Sequence, residues 1–165
     1  MKLRKLKAED APLMLEWMHD ESVVSQLAAN FAAKTIDDCR NFIAASLTGD
    51  DDLHLAVTDD ADTYMGTVSL KHIDRTRGTA EFAITVRACA MGKGYSHFGM
   101  ESILKMGIAE LGLEVIYWCV SPKNERAVRF YDKHGYARIT AVPASILKAY
   151  PADMPLIWYV YPAKS

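Results

Sequence analysis

Met91-Gly92-Lys93-Gly94-Tyr95-Ser96 is the stretch from which the rest of the chain is read. It joins an upstream run with strand character to a downstream run with helix character. Two glycines permit positive φ and let a ligand approach the main chain closely. The helix start beyond them presents N–H groups that lack intrahelical partners, at the positive end of the helix dipole. Together these features suit a diphosphate, and Lys93 adds a point charge. The stretch lacks the Gly-Lys-Ser/Thr ending of the nucleotide P-loop and the third glycine of a dinucleotide-binding turn. By itself it marks only a helix start able to hold phosphates.

Upstream, Thr79–Val86 alternates, with Ala80, Phe82, Ile84 and Val86 facing one way and Glu81, Ala83 and Thr85 the other. Before it, Leu53–Thr58 and Tyr64–Leu70 flank Asp59-Asp60-Ala61-Asp62 and read as an antiparallel hairpin. The three runs form a meander. Further back, Leu3–Leu6 reads as a short strand, and Ala11, Met14, Leu15 and Met18 mark an amphipathic helix. Asp20–Lys34 reads as a loop or irregular helix. Thr35 with Asp38 reads as a helix cap, leading a face of Ile36, Cys39, Ile43 and Leu47.

Downstream, Tyr95–Leu111 carries the helical stripe Met100, Ile103, Leu104, Ile108 and Leu111, with Gly112 as its stop. Val115–Val120 is a buried-type strand, Asn124–His134 a helix, and Ala137–Val142 and Leu156–Tyr161 two final strands. Pro143–Pro155 reads as a structured loop. The order β-α-α-β-β-β-α-β-α-β-β describes an α/β (α+β) domain around a mixed sheet, with 1–165 read as one unit.

In Asn124-Glu125-Arg126-Ala127-Val128-Arg129-Phe130-Tyr131-Asp132-Lys133-His134-Gly135-Tyr136, Asn124 is placed to cap the helix or to bond an amide-rich ligand. Ala127 faces inward beside Tyr131, whose hydroxyl needs a partner if buried. The two segments together resemble the Gcn5-related N-acetyltransferase (GNAT) superfamily. The first resembles its coenzyme A signature, Gln/Arg-x-x-Gly-x-Gly/Ala. The second resembles its Asn-x-x-Ala-x-x-Phe-Tyr-x-x-x-Gly-Phe/Tyr pattern. The opening segment, with Arg4, Glu9-Asp10 and Trp17, is most similar to the branch of the ribosomal-protein N-terminal acetyltransferases and their relatives acting on polyamines, amino sugars and antibiotics.

The resemblance implies a mixed central sheet of about seven strands flanked by about four helices, and acetyl transfer from acetyl-CoA to a primary amine in a ternary complex, with no metal. It implies a cofactor site of Ile84, Thr85, Val86, Met91, Gly92, Lys93, Gly94, Tyr95, Ser96, Asn124, Ala127 and Tyr131. The strand from Val115 should splay from Thr79–Val86, and a bulge near Ile84–Val86 should free an N–H for the acetyl oxygen. Met91 departs from the usual Gln or Arg, which removes one side-chain contact to the diphosphate, and Ser96 replaces Gly or Ala. Arg87 or Lys93 is left to supply charge.

Tyr131 matches the general acid toward the departing thiolate. Glu81 is the candidate base, although the same residue suits a cross-strand ion pair; Cys119 stands where some relatives carry a glutamate. The acceptor wall is expected at Trp17, His19 and Phe31, with Asp20 and Glu21 to attract a cation. The acceptor is a small-molecule amine or a peptide N-terminus: a protein N-terminus, amino sugar, nucleotide sugar, polyamine or aminoglycoside. A domain that binds acyl-CoA without turnover is the contrasting reading.

The formal charge of −2 over 165 residues argues against nucleic acid as a partner. Half the residues are hydrophobic and 24% are charged, as in ordinary globular proteins. No apolar run approaches the roughly 18 residues of a membrane span, and no signal-like segment opens the chain. Cys39, Cys89 and Cys119 have neither metal nor disulfide spacing, so they read as reduced thiols of a cytoplasmic protein. The last strand and the Pro143–Pro155 loop offer contact surfaces for a homodimer.

Overall fold

The computed structural model describes residues 1–25, 27 and 29–162. Its strands and helices follow the sequence periodicities closely. Strand β1 (Lys2–Lys5) leads through a short turn to helix α1 (Ala11–Met18), which buries Ala11, Met14, Trp17 and Met18. A single-turn helix α2 (Glu21–Val24) lies within the stretch read as loop or irregular helix, of which Gln26 and Ala28 lie outside the described residues. Helix α3 (Ile36–Ser46) begins in the expected capping box. Thr35 Oγ1 accepts from Asp38 N–H at 3.2 Å, and Thr35 N–H donates to Asp38 Oδ2 at 2.8 Å. These two bonds satisfy main-chain groups that the helix cannot.

The meander follows as β2 (Leu53–Thr58), β3 (Tyr64–Asp74) and β4 (Thr79–Val86). Then come α4 (Tyr95–Ala109), β5 (Val115–Val120), α5 (Glu125–Lys133), β6 (Ala137–Ile139), α6 (Ala144–Leu147) and β7 (Ile157–Tyr161). Strand β6 is shorter than its sequence suggests. The segment read as a structured loop carries the one-turn helix α6.

Among the described residues the strands form one seven-stranded sheet in the order β1-β2-β3-β4-β5-β7-β6. It is mixed: β4 and β5 run parallel, and every other neighbouring pair is antiparallel. The parallel pair needs a crossover, which α4 supplies. Alternation divides the sheet into two faces. On one, Val57, Val68, Leu70, Phe82, Ile116, Trp118 and Tyr159 pack under Met100, Ile103 and Leu104 of α4 and Tyr131 of α5. Met100, Ile103 and Leu104 are at most 1% exposed, and burial of each such side chain contributes about 1.5–3 kcal/mol.

Gly99 sets how closely α4 approaches the sheet, because a Cβ there would lie 2.7 Å from Val57 Cγ2. On the other face, α1 and α3 cover β1–β3, with Trp17, Cys39, Ile43, Ala56 and Tyr64 in one cluster. Helix α6 covers β5 and β7 through Ile146, Tyr117, Trp158 and Val160. The middle of that face, over β3 and β4, lies between the two covers. Among the described residues no helix is long and apolar enough to cross a membrane, and no group of His, Cys, Asp and Glu is arranged to hold a metal ion.

Candidate active site

The site follows from where β4 and β5 stop pairing. They pair at Thr79↔Val115, Ala80↔Ile116 and Glu81↔Tyr117, and no further. Beyond Glu81 the strands part, as the sequence resemblance implied. Arg87 N–H donates to Met65 O at 2.8 Å, opposite it on β3. By alternation, the main-chain groups of Thr85, Ala83 and Glu81 also point to β3, while those of Val86, Ile84 and Phe82 point into the gap.

The expected bulge at Ile84–Val86 is absent. The β3–β4 register runs unbroken from Gly66↔Val86 to Lys71↔Glu81, and its irregularity lies between Lys71 and Asp74. No bulge is needed, because splaying alone leaves the β4 edge unpaired.

The loop from Met91 to Ser96, which the sequence resemblance expects to hold a diphosphate, follows β4 beyond the point where the strands part. Gly92 (φ 73°) and Gly94 (φ 90°) both adopt the left-handed conformation that side chains resist. Gly94 precedes α4, whose first turn holds Tyr95 and Ser96, both partly buried. This cradle fits a diphosphate: two glycines, unpaired N–H groups at the start of a helix 15 residues long, and no acid in its first turn. Lys93 is exposed and makes no ion pair among the described residues.

Arg87 is committed elsewhere. Its guanidinium pairs with Glu16 of α1 at 2.9 and 3.1 Å and donates to Tyr64 O at 3.1 Å. The second motif meets the first here. Asn124 Oδ1 accepts from Ala127 N–H at 3.2 Å and so caps α5. Ala127 is partly buried against the main cluster, and Arg126 reaches across to Met91, with Nη1 3.5 Å from Sδ.

Tyr131 lies on the α4 face of the sheet, beside the gap. Its ring packs against Trp118 (centroids 5.6 Å apart) and Tyr159 (5.0 Å), and Trp118 in turn meets Phe82 of β4 at 5.6 Å. The Tyr131 hydroxyl makes no hydrogen bond among the described residues. Burial raises its pKa well above that of an ordinary phenol, so it keeps its proton at neutral pH. Trp118 Nε1 is buried without a partner among the described residues.

Glu81 lies on the opposite face at the last paired position, 2% exposed. Its two oxygens differ. Oε2 accepts from the Tyr150 hydroxyl, while Oε1 has no hydrogen-bond partner among the described residues and lies 3.5 Å from Lys71 Nζ and 3.7 Å from His72 Nε2. Lys71 is the cross-strand partner on β3, so the alternative reading of Glu81 as an ion-pair residue also describes its surroundings. Burial pushes the nearby Cys119 thiol up to about 11, which keeps it protonated and unsuited to act as a base at neutral pH.

The residues expected at the acceptor wall differ in exposure: Trp17 is buried, Phe31 half-buried and His19 exposed. Trp17 is 5% exposed, and its Nε1 donates to Tyr64 Oη at 3.0 Å. It packs edge-on against Phe31, with centroids 5.1 Å apart, and backs that half-buried ring. His19 is exposed, and its Nε2 lies 2.8 Å from Lys34 O, closing the base of the connecting loop. Asp20 caps α2 through Ser22 N–H at 3.0 Å, and Glu21 points to solvent.

Sequence reasoning missed Tyr150 beside Glu81, and it takes His72, near a strand end, for a surface or packing residue rather than a neighbour of Glu81. Tyr150 sits in a segment with no periodicity. His72 is turned by a positive φ of 53° at the β3 irregularity, which no local motif announces.

Residues 1–137 match the profile of the acetyltransferase (GNAT) domain. No curated protein matches the chain by sequence. Among solved structures, spermidine N-acetyltransferase from Vibrio cholerae in complex with CoA and spermine superposes with a TM-score of 0.80 at 18% identity, over 96% of this chain and 93% of that one. A chimera of that enzyme with hSSAT gives 0.78 at 18% identity, over 96% and 93%. A dodecameric form in an intermediate state gives 0.73 at 18% identity, over 96% and 91%. At this identity the likeness concerns the fold. With the profile covering most of the chain and the two motifs meeting at one splayed strand pair, the chain belongs to the GNAT acetyltransferase family and is an N-acetyltransferase that draws its acetyl group from acetyl-CoA.

Proposed function

We propose that the chain transfers the acetyl group to a primary amine of a small cationic acceptor, of the polyamine class, with Glu81 as base and Tyr131 as acid. The observation that carries this reading is Glu81: a buried carboxylate, one of whose oxygens accepts no hydrogen bond among the described residues, placed where β4 and β5 separate and within ion-pair distance of Lys71. Acetyl-CoA brings an activated thioester, and the protein supplies geometry and proton movement. The edge of β4 at Phe82, Ile84 and Val86 offers N–H and C=O groups to the pantetheine arm and acetyl oxygen, while the loop from Met91 to Ser96 holds the diphosphate.

The acceptor approaches on the face over β3 and β4, between the α1–α3 cover and α6. Its nitrogen forms a bond to the acetyl carbon as the carbon–sulfur bond breaks. Before that attack Glu81 Oε1 takes a proton from the acceptor's ammonium, directly or through one water, which frees the lone pair; the Tyr131 hydroxyl gives a proton to the departing sulfur and is restored by the second proton that the nitrogen sheds. Tyr150 holds Oε2 of Glu81 and so fixes the direction of Oε1.

The acceptor class rests on charge and shape. His72, beside Glu81, lines an open cleft of about 820 Å³ shared by Asp50, Asp51 and Asp74, with Arg75 and Lys148 also at its wall. A second ammonium on a diamine would find acids there while the first reaches Glu81. The solved spermidine acetyltransferases of similar fold support this reading over a ribosomal-protein N-terminus.

Glu81→Gln tests the base. Turnover at neutral pH should fall roughly 10²-fold and partly recover as pH rises toward the pKa of the amine, where a base is no longer needed. A wild-type pH–rate profile refutes the role.

A further inference from the structure

The departure at Met91 leaves the diphosphate loop without the side-chain donor that its pattern normally carries, and the structure places another donor there. Arg126, in the first turn of α5, extends over the loop. Its Nη1 lies 3.5 Å from Met91 Sδ, and its Nη2 lies 3.8 Å from where a Cβ on Gly92 would stand. The guanidinium thus sits directly over the glycine that must admit a phosphate. It forms no ion pair among the described residues; the acid one residue before it, Glu125, pairs with Arg129 at 3.7 Å.

We infer that Arg126 is the side-chain ligand of the CoA diphosphate, replacing from α5 the contact that residue 91 no longer makes. Two physical points support it. A thioether is a weak acceptor, so Met91 holds the guanidinium near the loop at little cost and yields it to a phosphate oxygen. A guanidinium presents paired donors that match phosphate geometry, and such bonds between ions are about twice as strong as neutral ones. The other cations nearby do not fill this place: Arg87 is bound to Glu16, and Lys93 is an exposed point charge without a guanidinium's paired donors. The inference rests on the loop being the diphosphate site.

Calorimetric binding of CoA, dephospho-CoA and pantetheine to the full chain tests it, with no turnover needed. Dephospho-CoA keeps the diphosphate but lacks the 3′-phosphate; pantetheine lacks both. Arg126→Gln should weaken CoA and dephospho-CoA by a similar factor, about tenfold for a lost bond between ions, and leave pantetheine unchanged. Its CoA affinity should also depend less on salt. Adding Met91→Arg to Arg126→Gln should restore most of the loss.

Unchanged CoA binding in Arg126→Gln overturns the inference. So does a loss confined to CoA, which would move Arg126 to the 3′-phosphate, or an equal loss for pantetheine, which would make its role structural. If the wild-type chain binds pantetheine as tightly as CoA, the loop itself is not the diphosphate site and the inference falls with it.

Discussion

Replacing Tyr131 by Phe removes one oxygen from a ring whose packing is otherwise retained. The ring meets Trp118 and Tyr159 at 5.6 and 5.0 Å, contacts a phenyl ring also makes. The lost hydroxyl makes no hydrogen bond among the described residues, so no buried partner is orphaned. Stability should therefore stay within about 0.5 kcal/mol of wild type. Catalysis should not. A general acid contributes roughly 10²-fold or more, equivalent to about 2.7 kcal/mol on the barrier.

The assay is thiol release at saturating acetyl-CoA, with a melting curve and a CoA affinity on the same preparation. The account requires a large fall in kcat, an unchanged KM for acetyl-CoA and an unchanged midpoint. Because burial raises the phenol pKa, the wild-type rate should show no basic limb from Tyr131 below about pH 10. Undiminished turnover in Tyr131→Phe would refute the assignment. A fall in rate matched by lost stability would show that the hydroxyl serves the fold.

Other expectations rest on the surrounding structure. Asp10 is 3% exposed and receives Arg4 at 2.8 and 2.9 Å and Lys7 N–H at 2.8 Å. Asp10→Asn should cost about 2–3 kcal/mol, less than for a fully enclosed pair because Asp62 still holds Arg4, and lower the melting midpoint by about 5–10 °C; an unchanged midpoint contradicts this. Cys119→Ala should leave the neutral-pH rate within about twofold, since a protonated thiol takes no part in the chemistry, whereas a large fall in initial rate would return it to the mechanism.

His54 is bonded to Ser69 Oγ at 2.6 Å, and burial lowers its pKa. The unfolded chain therefore binds a proton at about pH 6.5 while the folded one does not. The associated stability is present above that pH and lost as pH falls through the window below it. Denaturant melts of His54→Gln should show a weaker decline there, and a decline identical to wild type would exclude His54 as its source.

Much of the fold was legible because its elements announce themselves locally. Thr35 and Asp38 form the cap their spacing predicts, and the α4 stripe of Met100, Ile103 and Leu104 is buried as its period requires. The loop around Gly92 and the segment from Asn124 to Tyr131 could be joined from sequence only through a family resemblance. In space they touch through Met91 and Arg126.

What sequence could not supply depends on contacts between distant segments. Trp17 was expected to face an acceptor, but Tyr64, far along the chain, takes its N–H and draws it into the core beneath Phe31. Tyr150 reaches Glu81 from an aperiodic segment, across a separation of 69 residues. The expected bulge in β4 was a local answer to a need that the parting of two strands meets instead.

The most direct measurement is release of free CoA thiol from acetyl-CoA by the purified chain, with spermidine, spermine, an amino sugar and an N-terminal peptide offered in turn. The account predicts amine-dependent release, with kcat/KM highest for the polyamines and falling as salt is raised. CoA binding without thiol release from any amine, at every pH tried, would contradict it.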